Sequence, residues 1–375
     1  MKILLTGGGT GGHFYPLIAI AEKLNEIAEQ DKIIDMKLYY MSDDPYDKRM
    51  LFENGITFVK IPSGKMRRYF SVKNFSDMIK AAIGAGLGLV TMFFIYPDVV
   101  VSKGGYSAFP AVFAARLLRI PVIIHESDSS PGRMNLWSAK FAKRIAVSWA
   151  EAGEYFPKDK TILTGQPIRK EILHAIPEDA FEFFKLNSNV PVLFIAGGSQ
   201  GAEVINNSIL EVLPELVSRY QIIHQTGVKN IDDCLSRSKL VLEGNINAGR
   251  YMPMPYLNNL NTRMAAGAAT LIISRAGSFI FEIASWGVPS IIIPIINSNG
   301  DHQRHNAFNY ARTGACIVIE ENNLTPHVLM TQIDNLTKDK NKLATMKSSA
   351  LAFANLTAAL KIAKEAVEIA SSHES

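Results

Sequence analysis

Cysteine is scarce: the chain of 375 residues holds two, Cys234 and Cys316, far apart and outside any Cys-x-x-Cys pair. That excludes a disulfide framework and a thiolate metal cluster, and it suits a reducing compartment. Charge of one sign is also scarce. Lysine and arginine number 39 against 35 acids, a net charge of +4. So slight a bias does not point to nucleic acid, and no nucleic-acid-binding motif accompanies it. Long hydrophobic runs are missing. One long uncharged stretch, 81–96, contains Gly84, Gly86 and Gly88 and falls short of the roughly 20 residues a spanning helix needs. It reads as a buried or interfacial helix. Residues 3–5 are apolar, but a glycine loop follows at once, so no signal peptide is expected. Asp43-Asp44 and Asp232-Asp233 have no histidine or third acid beside them, so no metal site is expected.

What is present is a globular composition, 47% hydrophobic and 20% charged, with material for two cores. Strand-like runs at 2–6, 36–41, 57–61, 99–102, 122–125 and 145–148 alternate with helical stretches at 15–29, 74–94, 108–118 and 135–141. Such βα repetition with short links predicts a parallel sheet. The pattern resets at Thr164-Gly-Gln-Pro-Ile-Arg169, a turn-rich joint. A second series follows, with strands at 192–196, 221–224, 271–274, 290–293 and 315–319. Two Rossmann-like domains are therefore expected, 1–164 and 165–354. Residues 340–370 read as helical, and pattern alone does not say where they pack.

Two glycine loops stand half a chain apart, each after an apolar run and before an amphipathic stretch. The first is Thr6-Gly-Gly-Gly-Thr-Gly-Gly-His13 and the second Gly197-Gly-Ser-Gln-Gly-Ala202. Strand, glycine turn and helix together present backbone N–H groups to a phosphate. A dehydrogenase needs one such loop, and the first lacks its spacing. Two loops suit a nucleotide-sugar enzyme. His13 reads as a general base, a phosphate contact or a helix-capping histidine. Ser199 reads as a phosphate ligand, an N-cap or both. Glu282, one turn into the helix after Ser274-Arg-Ala-Gly-Ser278, reads as a ribose ligand or a dipole partner. Gln303 and Asn306 offer donors and acceptors suited to sugar hydroxyls. Glu126 and Asp128 leave a strand end as paired acids, suited to acid–base work or to capping.

Lys60, Lys65, Arg67, Arg68, Lys73 and Lys80 cluster with Tyr69, Phe70, Val72, Phe75, Met78 and Ile79 interleaved. That mixture suits an anionic membrane surface. A solvated basic face is the plainer alternative, and nucleic acid a third.

Taken in order, Gly-Gly-Thr-Gly-Gly-His13, Gly104-Gly-Tyr106, His125-Glu126, Thr164-Gly-Gln-Pro-Ile-Arg169, Gly197-Gly-Ser-Gln-Gly-Ala202, His224-Gln-Thr-Gly227, Ser274-Arg-Ala-Gly277 with Glu282, and Asp301-His-Gln303 with Asn306 resemble the MurG family. Its members are undecaprenyl-pyrophosphoryl-muramoyl-pentapeptide N-acetylglucosaminyltransferases, and the likeness runs from residue 2 to about 330. It implies an α/β protein of GT-B fold, two Rossmann-like domains with parallel sheets facing across a cleft. A C-terminal helix, about 355–375, would pack back on the first domain. It implies inverting transfer of N-acetylglucosamine from UDP-N-acetylglucosamine to the C4 hydroxyl of the muramoyl sugar of lipid I, giving lipid II. No cofactor is implied, and the enzyme would be peripheral at the cytoplasmic face of the membrane, docked through 65–80.

Carried over residue by residue, Arg169 and Ser199 would contact the donor diphosphate, Glu282 the ribose and Gln303 the N-acetylglucosamine hydroxyls. Thr10, Gly11, Gly12, Tyr106, Asp128 and Asn135 would line the acceptor side, with His13 or Glu126 as base. The chain departs from the family where His-Glu-Gln-Asn becomes His125-Glu-Ser-Asp128, adding a charge. A further departure is His302-Gln303 in place of two glutamines. Rival readings are another GT-B transferase, a UDP-N-acetylglucosamine epimerase, and a non-catalytic UDP-sugar-binding protein.

Overall fold

Two parallel sheets organise the chain in the computed structural model, which describes residues 1–64, 73–198, 201–296 and 298–373. The first sheet contains β1 (Lys2–Thr6), β2 (Lys37–Ser42), β3 (Ile56–Lys60), β4 (Val99–Ser102), β5 (Val122–Glu126), β6 (Arg144–Val147) and β7 (Thr161–Leu163), in the order β3-β2-β1-β4-β5-β6-β7. The second contains β8 (Val192–Ala196), β9 (Gln221–Gln225), β10 (Tyr251–Met254), β11 (Leu271–Ser274), β12 (Ser290–Ile292) and β13 (Cys316–Val318), in the order β10-β9-β8-β11-β12-β13. The central strands are mostly apolar because helices cover both faces of a parallel sheet. Ile3, Leu4 and Leu5 are fully buried, as are Val192 to Ile195.

In each sheet the strand order reverses beside the strand that precedes a glycine loop. β1 lies between β2 and β4, and β8 between β9 and β11. Ligands of open α/β sheets bind outside the carboxyl ends of the strands at such a switch point. The loops after β1, β4 and β5 and those after β8, β11 and β12 are therefore the places to look.

The chain divides into two compact units, Met1–Lys170 with Asn355–Ser375, and Glu171–Ala354. The division falls a few residues beyond the 164/165 boundary read from the sequence, so Arg169 belongs to the first unit. The C-terminal helix Ala358–His373 buries Ile362, Ala363, Ala366, Ile369 and Ala370 in the first unit's core beside Ile3, Phe14, Leu17 and Val99. The second core is built around Leu193, Ile195, Ile222, Ile273 and Ile291.

The sequence reading missed two strands, β7 and β10. Both lie at sheet edges. β7 is only a few residues long, and β10 carries Pro253, which an edge tolerates and an alternating pattern conceals. The first helix is Gly11–Gln30. It starts ahead of the expected Tyr15 and draws Gly11, Gly12 and His13 into its first turn.

One polar cluster secures the second unit. Asp334, on the helix Pro326–Lys338, accepts from the Tyr220 hydroxyl at 2.7 Å and from Lys338 at 3.2 Å, and pairs with Arg219. Partial burial works to raise its pKa, but Tyr220, Lys338 and Arg219 hold it below the usual carboxylate range. A depressed folded-state pKa contributes stability above that range and loses it as pH falls through it. Asp334→Asn should lower stability by about 1–2 kcal/mol at neutral pH. In urea titrations the difference from the parent should narrow once the pH drops below about 4.

Candidate active site

The first glycine loop is built against the loop after β4. A Cβ on Gly7 would meet Lys103 Cβ at 2.9 Å, one on Gly8 would meet Ser107 Cβ at 3.1 Å, and one on Gly9 would meet Tyr106 Cε1 at 3.0 Å. Tyr40 anchors the loop from below, its hydroxyl donating to Gly7 O at 2.5 Å. Thr10 is the N-cap of the helix Gly11–Gln30, but its side chain does not cap. Thr10 Oγ1 instead lies 2.9 Å from His13 Nδ1. On the ring's other side, Nε2 is 3.5 Å from where a Cβ on Gly105 would stand. Thr10, Gly11, Gly12, His13 and Tyr106 are thus brought together, exposed or half-buried, at the carboxyl ends of β1 and β4.

The loop after β5 is held differently. Glu126 is 4% exposed, and its carboxylate accepts from Asp128 N at 3.0 Å, Gly132 N at 3.0 Å and Asn135 Nδ2 at 2.9 Å. Both oxygens are engaged, so this acid organises residues 128–135. Its pKa is raised by burial and by Asp128, against the opposing pull of Lys103 and the hydrogen bonds. Asn135 also donates to His125 O at 3.2 Å, and it is 4% exposed. Gly104 makes room for it: φ is 78°, and a Cβ there would stand 2.6 Å from Asn135 Oδ1. No residue but glycine meets both conditions without strain. Asn135 is therefore packed behind Glu126, while Asp128 is half-buried at the surface of the same loop.

His125 is fully buried beside Ser148 Oγ at 3.2 Å and Gly165 O at 3.1 Å. Burial, then Lys103, push its pKa well below the ordinary value, so it is a neutral core histidine. Arg169 is 7% exposed. Its guanidinium carbon lies 3.7 Å from the Tyr15 ring centroid, and Nη1 is 3.6 Å from Met50 Sδ. Its planar cation stacks on an aromatic face within the first unit.

In the second unit, Ser199 lies outside the described residues. Around it, Gln225 Nε2 donates to Gly198 O at 3.1 Å while its Oε1 accepts from Leu257 N at 3.0 Å, linking the second glycine loop to residues 255–257. Gly201, at φ 78°, comes so close to Thr226 that a Cβ would stand 2.2 Å from its carbonyl oxygen. His224 bonds Tyr251 Oη at 2.9 Å and Asn206 Oδ1 at 3.0 Å, and burial drops its pKa to about 3. It too is a neutral structural group. Glu282, half-buried, is in the first turn of the helix Phe279–Trp286 after β11. Gln303, in the first turn of the helix His302–Arg312, accepts from Ile295 N at 3.1 Å through Oε1. Asn306 Nδ2 donates to Ala276 O at 3.2 Å and ties that helix to the loop after β11.

Three charged residues were given no role by the sequence reading: Arg275, Glu321 and Lys103. Arg275 donates to Ile293 O at 3.1 Å and to Glu321 Oε1 at 2.6 Å, while Glu321 Oε2 accepts from Ile296 N at 3.0 Å. No local signal links positions so far apart. Lys103 is 2% exposed beneath the first glycine loop. Its only sequence signal is a lysine between a buried strand and Gly104-Gly105.

Family models match both halves of the chain: the glycosyltransferase family 28 N-terminal domain over residues 3–147 and the family 28 C-terminal domain over 192–366. A protein of Clostridium novyi (strain NT), named UDP-N-acetylglucosamine–N-acetylmuramyl-(pentapeptide) pyrophosphoryl-undecaprenol N-acetylglucosamine transferase, is 36% identical over 353 residues, covering 93% of this chain and 94% of that protein. Among solved structures, MurG of Acinetobacter baumannii superposes with a TM-score of 0.75 at 24% identity, covering 98% of this chain and 99% of that one. The UDP-GlcNAc 2-epimerase of Neisseria meningitidis bound to UDP-GlcNAc gives 0.65 at 16%, covering 98% of this chain and 100% of its own. The GT-B architecture is thus common to transferases and epimerases, and fold alone does not separate them. The identity to a named transferase along nearly the whole chain does, and with both family 28 domains in sequence order this glycosyltransferase belongs to the MurG family.

Proposed function

We propose that the protein transfers N-acetylglucosamine from UDP-N-acetylglucosamine to the muramoyl C4 hydroxyl of lipid I, forming lipid II. The observation that carries this reading is the 36% identity, over 93% of the chain, to a transferase named for those substrates. The second unit would take the donor, with the 197–201 loop at the diphosphate, Glu282 at the ribose and Gln303 at the sugar. The first unit would take the acceptor on Thr10, Gly11, Gly12, Tyr106 and Asp128. In the reaction the C4 oxygen bonds to the anomeric carbon, the bond to UDP breaks with inversion, and the hydroxyl proton passes to His13. Helix N-termini stabilise the departing diphosphate; no metal or other cofactor is invoked.

The test is radiolabel transfer from UDP-N-acetylglucosamine to a short-chain lipid I analogue, with and without EDTA. Labelled disaccharide lipid in both arms supports the reading. Binding of the sugar nucleotide without product would favour a binding protein, and interconversion of free UDP-sugar an epimerase.

A peripheral place at the cytoplasmic membrane face is part of this reading, supported by the acceptor and by the helix Lys73–Ile95. Part of the basic segment, 65–72, lies outside the described residues. The helix that follows is long and apolar enough to span a bilayer. Its inner face is tied down, however. Gly88 packs on Pro110, a Cβ there meeting Pro110 O at 3.1 Å, and Met92 is fully buried. The outer face exposes Phe75, Met78, Ile79, Ile83, Leu87, Val90, Phe93 and Phe94, an i, i+3/i+4 stripe along the whole helix. A helix packed on one side and apolar on the other lies in the interface plane. Ile83→Glu with Val90→Glu should weaken sedimentation with anionic vesicles about tenfold or more and leave donor binding unchanged; unchanged sedimentation would remove this stripe from the contact.

A further inference from the structure

Three strands of the second sheet end in step. Ser274 pairs with Ile292, and Ile292 with Val318, at the carboxyl ends of β11, β12 and β13. One residue further on, Ile293 N still donates to Ser274 O at 2.8 Å and Ile319 N to Ile292 O at 3.1 Å. Beyond that point side chains take over from the backbone ladder. Arg275, next after β11, donates through Nη1 to Ile293 O at 3.1 Å and through Nη2 to Glu321 Oε1 at 2.6 Å. Glu321 Oε2 accepts from Ile296 N at 3.0 Å. One ion pair thus joins the chain just past three adjacent strands.

Both side chains are largely buried, 10% and 11% exposed. A buried pair of this kind is weak evidence of a stabilising role, since apolar residues of similar volume often match it. Arg275 Nε is moreover buried without a hydrogen-bond partner among the described residues, which costs stability. The segment the pair holds has little packing to fix it, because the side chains of Ile295 and Ile296 are exposed. Its place depends on hydrogen bonds. Ile295 N donates to Gln303 Oε1 at 3.1 Å. The N–H that Glu321 holds and the N–H that orients Gln303 therefore belong to neighbouring residues.

We infer that Glu321, through its pair with Arg275, is a positioning residue for the donor sugar: it fixes residues 293–296, so that Ile295 N holds Gln303 Oε1 and Gln303 Nε2 is left to donate to a sugar oxygen. The inference rests on the donor placement proposed above. Glu321 touches no substrate and acts on the sugar end of the donor alone. The diphosphate and ribose would be met elsewhere, at the 197–201 loop and at Glu282.

The test uses Glu321→Gln, Gln303→Ala and the double variant in the full-length protein. Both partners of the Glu321 carboxylate are donors. An amide offers one acceptor oxygen and one donor nitrogen, so Glu321→Gln keeps the volume and loses one of the two bonds. Equilibrium binding of UDP-N-acetylglucosamine should weaken about tenfold, the scale of one lost hydrogen bond, while binding of UDP is unchanged. In the Gln303→Ala background the same substitution should cost less than about twofold, since the two residues act through one contact. A pair that merely holds the fold would weaken UDP as much as the sugar nucleotide, or cost as much without Gln303, and either outcome overturns the inference. Should Glu321→Gln fail to fold, hydrogen exchange of the unmodified protein decides. UDP-N-acetylglucosamine should then slow the Ile295 and Ile296 amides more than UDP does, and equal protection refutes the inference. Binding of neither ligand by the unmodified protein would refute the donor placement. Exchange at Ile296, expected to be about tenfold faster in Glu321→Gln, would still decide whether the pair holds the loop, and unchanged exchange would remove Glu321 from the role.

Discussion

Replacing His13 by alanine should lower kcat by about a thousandfold at saturating acceptor, within the range of a lost general base. The expectation rests on how the ring is held. Thr10 Oγ1 is 2.9 Å from Nδ1, and in the tautomer that donates this proton Nε2 is the basic nitrogen. Nε2 lies toward Gly105, at the carboxyl end of the sheet where α/β enzymes bind ligands. Thr10→Val, which removes the orienting oxygen and keeps the shape, should cost about tenfold by releasing the ring. Both are read as single-turnover rates with lipid I analogue. Near-normal turnover in His13→Ala would end its candidacy.

The other base candidate should fail in a different way. Glu126→Ala removes the acceptor for two backbone N–H groups and the Asn135 amide. Leaving each buried donor unmet costs about 1–3 kcal/mol. The first unit should therefore unfold at markedly lower denaturant, and activity should fall with the loss of structure. Glu126→Gln keeps one acceptor oxygen and should be milder, with turnover lowered about tenfold. Denaturant unfolding and turnover measured on both variants separate the roles. Were Glu126 the base, Glu126→Gln would match a thousandfold loss while its unfolding midpoint stayed that of the parent.

These two results bear on how much of the site was legible. His13 was marked by its place after a strand and six glycine-loop residues, a local pattern that also locates its ligand side. Glu126 was equally visible as a residue. Its role was not, because a carboxylate in a short loop looks the same whether it faces solvent or accepts hydrogen bonds from 128, 132 and 135. Arg169 shows the same gap. The Gln-Pro-Ile-Arg joint was plain, but the ring on which the guanidinium stacks, Tyr15, is far away in sequence.

By itself the sequence determined the fold class, the two sheets, all but the two edge strands, and both glycine loops. Apolar runs of strand length, helical periodicity and turn glycines are local consequences of burial and backbone sterics, and they survive without tertiary context. The tertiary structure alone decided which polar and charged groups are buried and what they meet: Glu126 with the amides of 128 and 132 and with Asn135, Arg275 with Glu321, His224 between Tyr251 and Asn206. Each joins residues from different strands or loops. Their ionisation and role depend on desolvation and on distance, two quantities that arise only once the chain has folded.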